Sequence, residues 1–308
     1  MKLRLLPLAG LAALLAAGPA AHAQTTISLG LRAGGNLATR SGDDPTYTPY
    51  PAGSSGSANV VTTTQKDYAR KAIIGPQFGA VLDVRFGKLA LQPAVLFSQK
   101  GVEQILDATT TSTYSYGGSP FSRSTLTEKL HSTSRANYLE IPVNLVYTTG
   151  GDHGFQVFAG PYVAFGMGGR TEIENQGIST TSNVSGSYTT TNSYYSYGNT
   201  FFLYRDTYPG GPVTPSSPTS SSSVSATGPA TYDANSGTVV ARRFDAGVNA
   251  GIGYRFRALQ VQLGYGLGLV NQQTGRAPAF NTDPTAYHQR VAQLTATYFF
   301  KALAAGAQ

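Results

Sequence analysis

The sequence predicts an all-β fold: an eight-stranded antiparallel transmembrane up-and-down β-barrel with short periplasmic turns and long extracellular loops. Three observations carry that expectation. Apolar and polar residues alternate with period two through eight segments, as half-buried strands do. Short and long connections take turns along the chain, the pattern of an outer-membrane barrel. After the N-terminal segment no run approaches 18 apolar residues, so a membrane crossing would have to be made by strands.

The chain begins MKLRLLPLAGLAALLAAGPAAHAQ. Lys2 and Arg4 form a basic start, Leu5 to Ala17 an apolar run, and Ala21-His22-Ala23 a small-x-small cleavage site. This is the plan of a secretory signal peptide over residues 1–23, cut before Gln24. The run is too short for a membrane helix, which needs roughly 20 apolar residues. The formal charge of +7 falls by two with Lys2 and Arg4, to +5. Lys and Arg are scattered rather than clustered, so no nucleic-acid face is indicated. There is no Cys. That excludes a lipid anchor on cysteine, disulfides, thiol catalysis and Cys-ligated metals. The expectation is a single domain over 24–308.

The eight strand segments are roughly 27–38, 72–86, 88–101, 136–148, 154–169, 241–256, 258–271 and 287–300. Glycines inside nearly all of them argue against helix. Short connections fall at Gly87-Lys88, at 149–153 and at Arg257. Long ones fall at about 39–71, 102–135, 170–240 and 272–286. The stretch from Thr214 to Ala226, TPSSPTSSSSVSA, is too polar to bury a core and reads as part of a flexible loop over about 170–240. Before it lies a Tyr- and Thr-rich run of strand formers. There the fifth and sixth segments are expected to continue as a hairpin above the membrane. Asn183-Val184-Ser185 matches a glycosylation sequon of the kind Ser/Thr-rich loops produce by chance.

Parity separates two faces. In the second segment Ile74, Phe78, Ala80, Leu82, Val84 and Phe86 oppose Gln77, Gly79, Asp83 and Arg85. In the sixth, Phe244, Val248, Ile252, Tyr254 and Phe256 oppose Arg243, Asp245, Gly247, Gly251 and Arg255. In the seventh, Leu259, Val261, Leu263, Tyr265 and Leu267 oppose Gln260, Gln262, Gly264 and Gly266. A soluble barrel or sandwich would turn the apolar face inward, and its outer face would carry Lys, Glu and Thr. Runs of Gly and Gln suit instead the crowded lumen of a small barrel, which only just holds side chains. Tyr147, Tyr254, Tyr265, Tyr298 and Phe300 lie at or near strand ends, where an aromatic girdle sits. The inward set then includes the charges Arg32, Asp83, Arg85, Lys100, Glu140, Arg243, Asp245 and Arg255. Charges in a narrow lumen need partners, so these are expected to form a structural polar network rather than an ion path or catalytic cluster.

The stretch YLEIPVNLVY (138–147) shows the logic at one site. Leu139, Ile141, Val143, Leu145 and Tyr147 are expected to face lipid, and Glu140, Pro142 and Asn144 the lumen. Glu140 is expected to pair with Arg32, Arg85 or Arg255. Pro142 removes a ladder donor, so a local bulge or a lumenal partner for the carbonyl opposite is expected beside it.

LQPAVLFSQKG (91–101), YLEIPVNLVY, FAGPYVAFGMGGR (158–170) and FDAGVNAGIGYRF (244–256), with GLRAGGNLA near the start and QLTATYFF near the end, resemble the PorT-like outer membrane β-barrel family of Bacteroidetes-type bacteria. The resemblance implies about eight strands in the outer membrane and names no reaction. The long Ser/Thr/Tyr loop and the tail KALAAGAQ after Phe300 depart from the usual pattern.

Residue chemistry points away from catalysis. His131, His153 and His288 have no metal-ligand spacing. His131 and His288 with Asp283 are the one set that could serve an outer-membrane enzyme. Gly251-Ile252-Gly253 is followed by no helix and is not a nucleotide loop. No catalytic, cofactor or metal site is expected. The expected partners are outer membrane lipid and other envelope proteins met through the extracellular loops. The expected role is structural or interactive, with a lumen closed by polar groups. The alternatives are a small-solute channel, an outer membrane enzyme with a loop-borne site, and a soluble periplasmic barrel.

Overall fold

A strand that is apolar on one side and small or polar on the other must bend around its smaller side, and here the sheet bends until it closes. The computed structural model describes residues 25–42, 59–150, 152–184, 188–204, 230–233, 239–272, 287–300 and 303–304. The expected signal peptide lies outside them, as does Thr214 to Ala226. Thirteen strands are described: β1 (Thr25–Gly42), β2 (Asn59–Lys71), β3 (Ile73–Phe86), β4 (Leu89–Tyr116), β5 (Ser119–Thr148), β6 (His153–Asn183), β7 (Thr189–Tyr204), β8 (Ala230–Asp233), β9 (Val239–Ala241), β10 (Phe244–Phe256), β11 (Leu259–Gly268), β12 (Tyr287–Phe299) and β13 (Leu303–Ala304).

The antiparallel path runs β10–β11–β12–β1–β3–β4–β5–β6, and β6 pairs back onto β10. The closing ladder is continuous from Phe244↔Phe165 to Phe256↔His153. Among the described strands eight lie on this ring, while β2, β7, β8, β9 and β13 pair beside it. The parity sorting holds along the ring. Leu31, Ile74, Phe78, Leu145, Ile252, Leu263 and Leu294 are exposed on the outer wall, and Gln77, Gln92, Gln260 and Thr297 are buried inside. All five expected girdle residues are exposed. Aromatic pairs reinforce the rims: Phe155 and Tyr254 meet edge to face at 5.3 Å, Tyr298 and Phe300 at 5.8 Å, and Phe165 and Phe244 tilt together at 5.6 Å.

The short turns fall where the sequence puts them. At Arg257 the backbone takes φ 54°, the one positive-φ non-glycine position among the described residues. Three of the long connections are built differently from expectation. Residues 102–135 are not a loop: β4 runs on to Tyr116, turns through Gly117 and Gly118 at φ 56° and 84°, and returns as β5. Two adjacent positive φ values are what a two-residue hairpin turn requires, and glycine supplies them without strain. From Gln99 to Tyr116 the strand rises by about 60 Å at roughly 3.4 Å per residue. The connection 39–71 contains β2, which pairs with the upper half of β4. In the region 170–240, β6 continues to Asn183 and its hairpin partner is β7, not an extension of β10. This upper sheet is held by hydroxyl pairs across strands, such as Thr64 with Thr110 at 3.3 Å and Ser134 with Thr171 at 3.0 Å.

No bulge forms at Pro142. The register is the same on both sides of it, Pro93↔Val143 and Leu96↔Glu140. The irregularity sits higher on the β5–β6 pair, where Asn137↔Gly168 is followed by Tyr138↔Gly166 and leaves Met167 as the extra, outward residue. A missing N–H costs one ladder bond. An extra residue changes the strand's phase, and only the second demands a bulge.

The glycines of β10 make room for rings from β6. A Cβ on Gly251 would run into the Leu263 carbonyl oxygen and come within 2.6 Å of Phe158 Cζ, and one on Gly247 would run into the Leu267 carbonyl oxygen and come within 2.6 Å of Tyr162 Cε1. Gly251→Val should therefore lower barrel stability by about 1–3 kcal/mol, the usual cost of overpacking. Urea unfolding in detergent micelles measures it, and an unchanged midpoint would contradict a ring-filled lumen.

Candidate functional site: the barrel lumen

Period-two alternation aims the polar residues of every ring strand at one axis, so the functional question concerns what meets there. Seven of the eight charges expected inside are buried: Arg32, Asp83, Arg85, Lys100, Glu140, Asp245 and Arg255. Arg243 is the exception. It stands in a bend just before β10 begins at Phe244, its carbonyl accepts from Gly166 N–H at 2.7 Å, and the residue is exposed. Parity does not extend past the end of the ladder, so extrapolating it to Arg243 failed.

One cluster centres on Asp83 of β3. Arg255 Nη1 of β10 donates to Asp83 Oδ2 at 2.7 Å, Arg85 Nη2 approaches the same oxygen at 3.4 Å, and Gln92 Nε2 donates to Oδ1 at 2.8 Å. Gln92 of β4 and Gln260 of β11 face each other amide to amide, at 3.0 and 3.2 Å. On the ring β3 stands opposite β10, and β4 opposite β11. Both contacts therefore cross the full width of the lumen. The Arg255 guanidinium also lies over the buried ring of Phe299, 4.4 Å from its centroid.

A second cluster centres on Lys100 of β4. Its Nζ lies 2.6 Å from Glu140 Oε2 on β5, with each side chain about 1% exposed. Glu140 thus pairs with a lysine, not with Arg32, Arg85 or Arg255 as expected. The reason is register: Lys100 pairs with Ala136 and Leu96 with Glu140, which sets the two charged residues four positions apart on neighbouring strands and on the same inner face. The ammonium also faces the rings of Tyr162 at 4.6 Å and Tyr138 at 5.5 Å. Such contacts stabilise a desolvated cation. Tyr162 donates its hydroxyl to Asp245 Oδ2 at 3.1 Å. Between the clusters, Arg32 donates to Thr297 Oγ1 and Gln262 Oε1, each at 3.0 Å, and Asn36 to Ser98 Oγ at 2.9 Å.

Sequence reasoning missed the buried aromatics, among them Tyr138, Tyr162 and Phe299. The signal was present. Tyr138 shares parity with Glu140, Tyr162 with Gln156, and Phe299 with Thr297. The parity sorting assigned none of them to a face.

Arg85 and Arg255 are paired with Asp83 and Lys100 with Glu140, while Arg32 and Asp245 bond to neutral side chains. The histidines are dispersed. His131 is exposed on β5, with Nε2 3.2 Å from Glu103 and Nδ1 4.0 Å from Glu174. His288 lies on β12, with β1, β3 and β4 between it and β5 on the ring, and Asp283 falls outside the described residues. His153 opens β6 at the short-turn end. Among the described residues no group of three His, Asp or Glu could hold a metal ion.

A family model described as "Outer membrane protein beta-barrel domain" matches residues 22–272. No curated protein matches the sequence. Two solved structures show slight likeness. One is described as the TodX monoaromatic hydrocarbon channel deltaS2 mutant, at 9% identity and TM-score 0.19, covering 90% of this chain and 91% of that one. The other is described as the CymD monoaromatic hydrocarbon channel, at 9% identity and TM-score 0.16, covering 89% and 88%. Likeness at that level carries nothing about what passes through a barrel.

Removing one member of a buried ion pair strands the other charge. Glu140→Leu should cost about 3–5 kcal/mol. Adding Lys100→Met should recover most of that loss, because the stranded charge goes with it. A double-mutant cycle on urea midpoints in detergent reads the coupling, and strictly additive losses would refute the pairing.

Proposed function

Because the chain belongs to the outer membrane protein beta-barrel domain family and its place is the outer membrane, we propose that it is a non-enzymatic barrel with a structural or interaction role in the envelope, its lumen closed by its own polar network. The carrying observation is the pair of contacts between opposite walls, Asp83 to Arg255 and Gln92 to Gln260. A channel needs its opposite walls apart. Here they touch through side chains that are at least nine-tenths buried. An eight-membered ring leaves a lumen only wide enough for side chains, which supports the same reading.

The interaction role rests on the upper sheet. β2 and the upper halves of β4, β5 and β6 lie beyond the apolar band and present Thr, Ser, Lys and Glu to water. Other envelope proteins would be met there, and lipid on the apolar wall. The YLEIP and QP-x-x-x-x-SQKG blocks support the narrower PorT-like placement. Export through a cleaved signal peptide over residues 1–23 completes the reading, and the envelope form should then begin at Gln24 when its N-terminus is sequenced.

Planar bilayer recording tests the closed lumen. The purified protein should show no large, steady openings, whereas Gln92→Ala with Gln260→Ala should raise conductance by unlinking two walls. Large steady currents from the unaltered protein would establish the channel alternative instead.

A further inference from the structure

On the outer wall, just above the apolar band, two arginines stand directly opposite each other. Arg135 of β5 and Arg170 of β6 are register partners. Both lie on the outward parity, since Ala136 and Thr171 beside them are buried. Like charges opposed across a ladder are destabilising unless something anionic offsets them. The chain supplies only part of that offset. Glu172 Oε1 lies 3.1 Å from Arg170 Nη2. Among the described residues Arg135 has no ion pair, and its Nη1 donates to the carbonyl of Ile74 at 3.1 Å.

The same two residues line a cavity of about 500 Å³ together with Gln99, Asn137 and Gly169. The Gln99 amide donates to Asn137 Oδ1 at 2.9 Å, which fixes both amides against one wall of the hollow. Directly below, the outward residues are Phe97, Leu139, Phe165 and Met167. The bulge at Met167 is what returns Arg170 to the outer face above this apolar edge. A hollow with two guanidinium groups, two amides and an apolar floor at the membrane boundary matches an amphiphile with a phosphorylated head and acyl tails. Planar guanidinium groups bind phosphate through paired N–H donors, and basic pockets at the membrane surface select anionic head groups.

We propose that Arg135 and Arg170, with Gln99 and Asn137, bind the phosphate of a phosphorylated glycolipid in the outer leaflet. The inference rests on the outer membrane location alone and not on whether the lumen is closed. The phosphate takes the place that the opposed guanidinium groups leave uncompensated, Glu172 holds Arg170 in position, and the acyl chains lie down the wall over Leu139 and Phe165.

Native mass spectrometry of the full chain in detergent tests this, with a bisphosphorylated diglucosamine lipid, its enzymatically dephosphorylated form, and inorganic phosphate as three separate probes. The bisphosphorylated lipid should bind at least about tenfold more tightly than either of the other two, and Arg135→Gln with Arg170→Gln should weaken it by about tenfold or more, as loss of two charge-assisted contacts requires. Heat-dependent gel mobility confirms that the variant is folded. If the double variant does not fold, Arg170→Gln alone serves, with an expected loss of about fivefold. Equal binding of the dephosphorylated lipid, or binding that neither variant weakens, overturns the site. Inorganic phosphate binding as tightly as the lipid overturns the lipid as its source.

Discussion

Every backbone N–H and C=O within a hydrocarbon layer must find a partner in the protein, and a sheet can meet that demand only by closing on itself. The β6–β10 ladder is where this chain meets it. Closure has consequences that reach each residue of the ring. It gives the sheet an inside too narrow for water-filled space and an outside too apolar for solvent. It also removes the edge strands on which proline is usually tolerated. Pro93, Pro142 and Pro161 nevertheless sit inside ring strands, and the ladders keep one register on both sides of Pro142. Neighbouring bonds on both flanks of a closed sheet hold the strand in phase even where one donor is lost.

The narrow interior forces the polar chemistry that fills it. Charges moved out of water are costly, and only tight pairing with further hydrogen bonds offsets that cost. Two clusters follow this rule. Asp83 collects two guanidinium groups and an amide. Lys100 is satisfied by one carboxylate and two aromatic faces. Because several contacts join strands that are not neighbours, the network acts as internal bracing and not only as filler. Rings and glycines are matched in the same way, with Phe158 and Tyr162 lying where β10 carries Gly251 and Gly247.

Above the membrane band the same strands obey different rules. β4, β5 and β6 continue without a break, but small and hydroxyl-bearing residues enter the inner face, where Thr110, Ser112 and Ser134 are buried beside Val102, Leu106 and Ala108. The boundary is chemically abrupt. Phe165 and Met167 give way within a few residues to Arg170 and Glu172, and Leu139 to Asn137 and Arg135. The bulge at Met167 falls at this boundary, where a change of strand phase resets which side chains face outward.

For most residues of the ring strands the sequence alone determined which face lipid and which face the lumen, because alternation with period two is a local property written into each segment. It determined that Asp83, Arg85, Arg255, Lys100, Glu140, Asp245 and Arg32 lie inside for the same reason. It could not show the strands over 102–135 and 170–183. Apolar residues there fall on both parities, Ile105 beside Leu106 for example, so no clean alternation marks them, and Thr and Ser read equally as loop. Tertiary structure decided the rest. Which charge meets which depends on register between strands far apart in the chain, and that is why Glu140 lies against Lys100 rather than an arginine. The same dependence sets Asp83 against Arg255 across the lumen. It also brings Arg135 and Arg170 face to face on the outer wall, a juxtaposition that exists only once β5 and β6 are paired with their bulge in place.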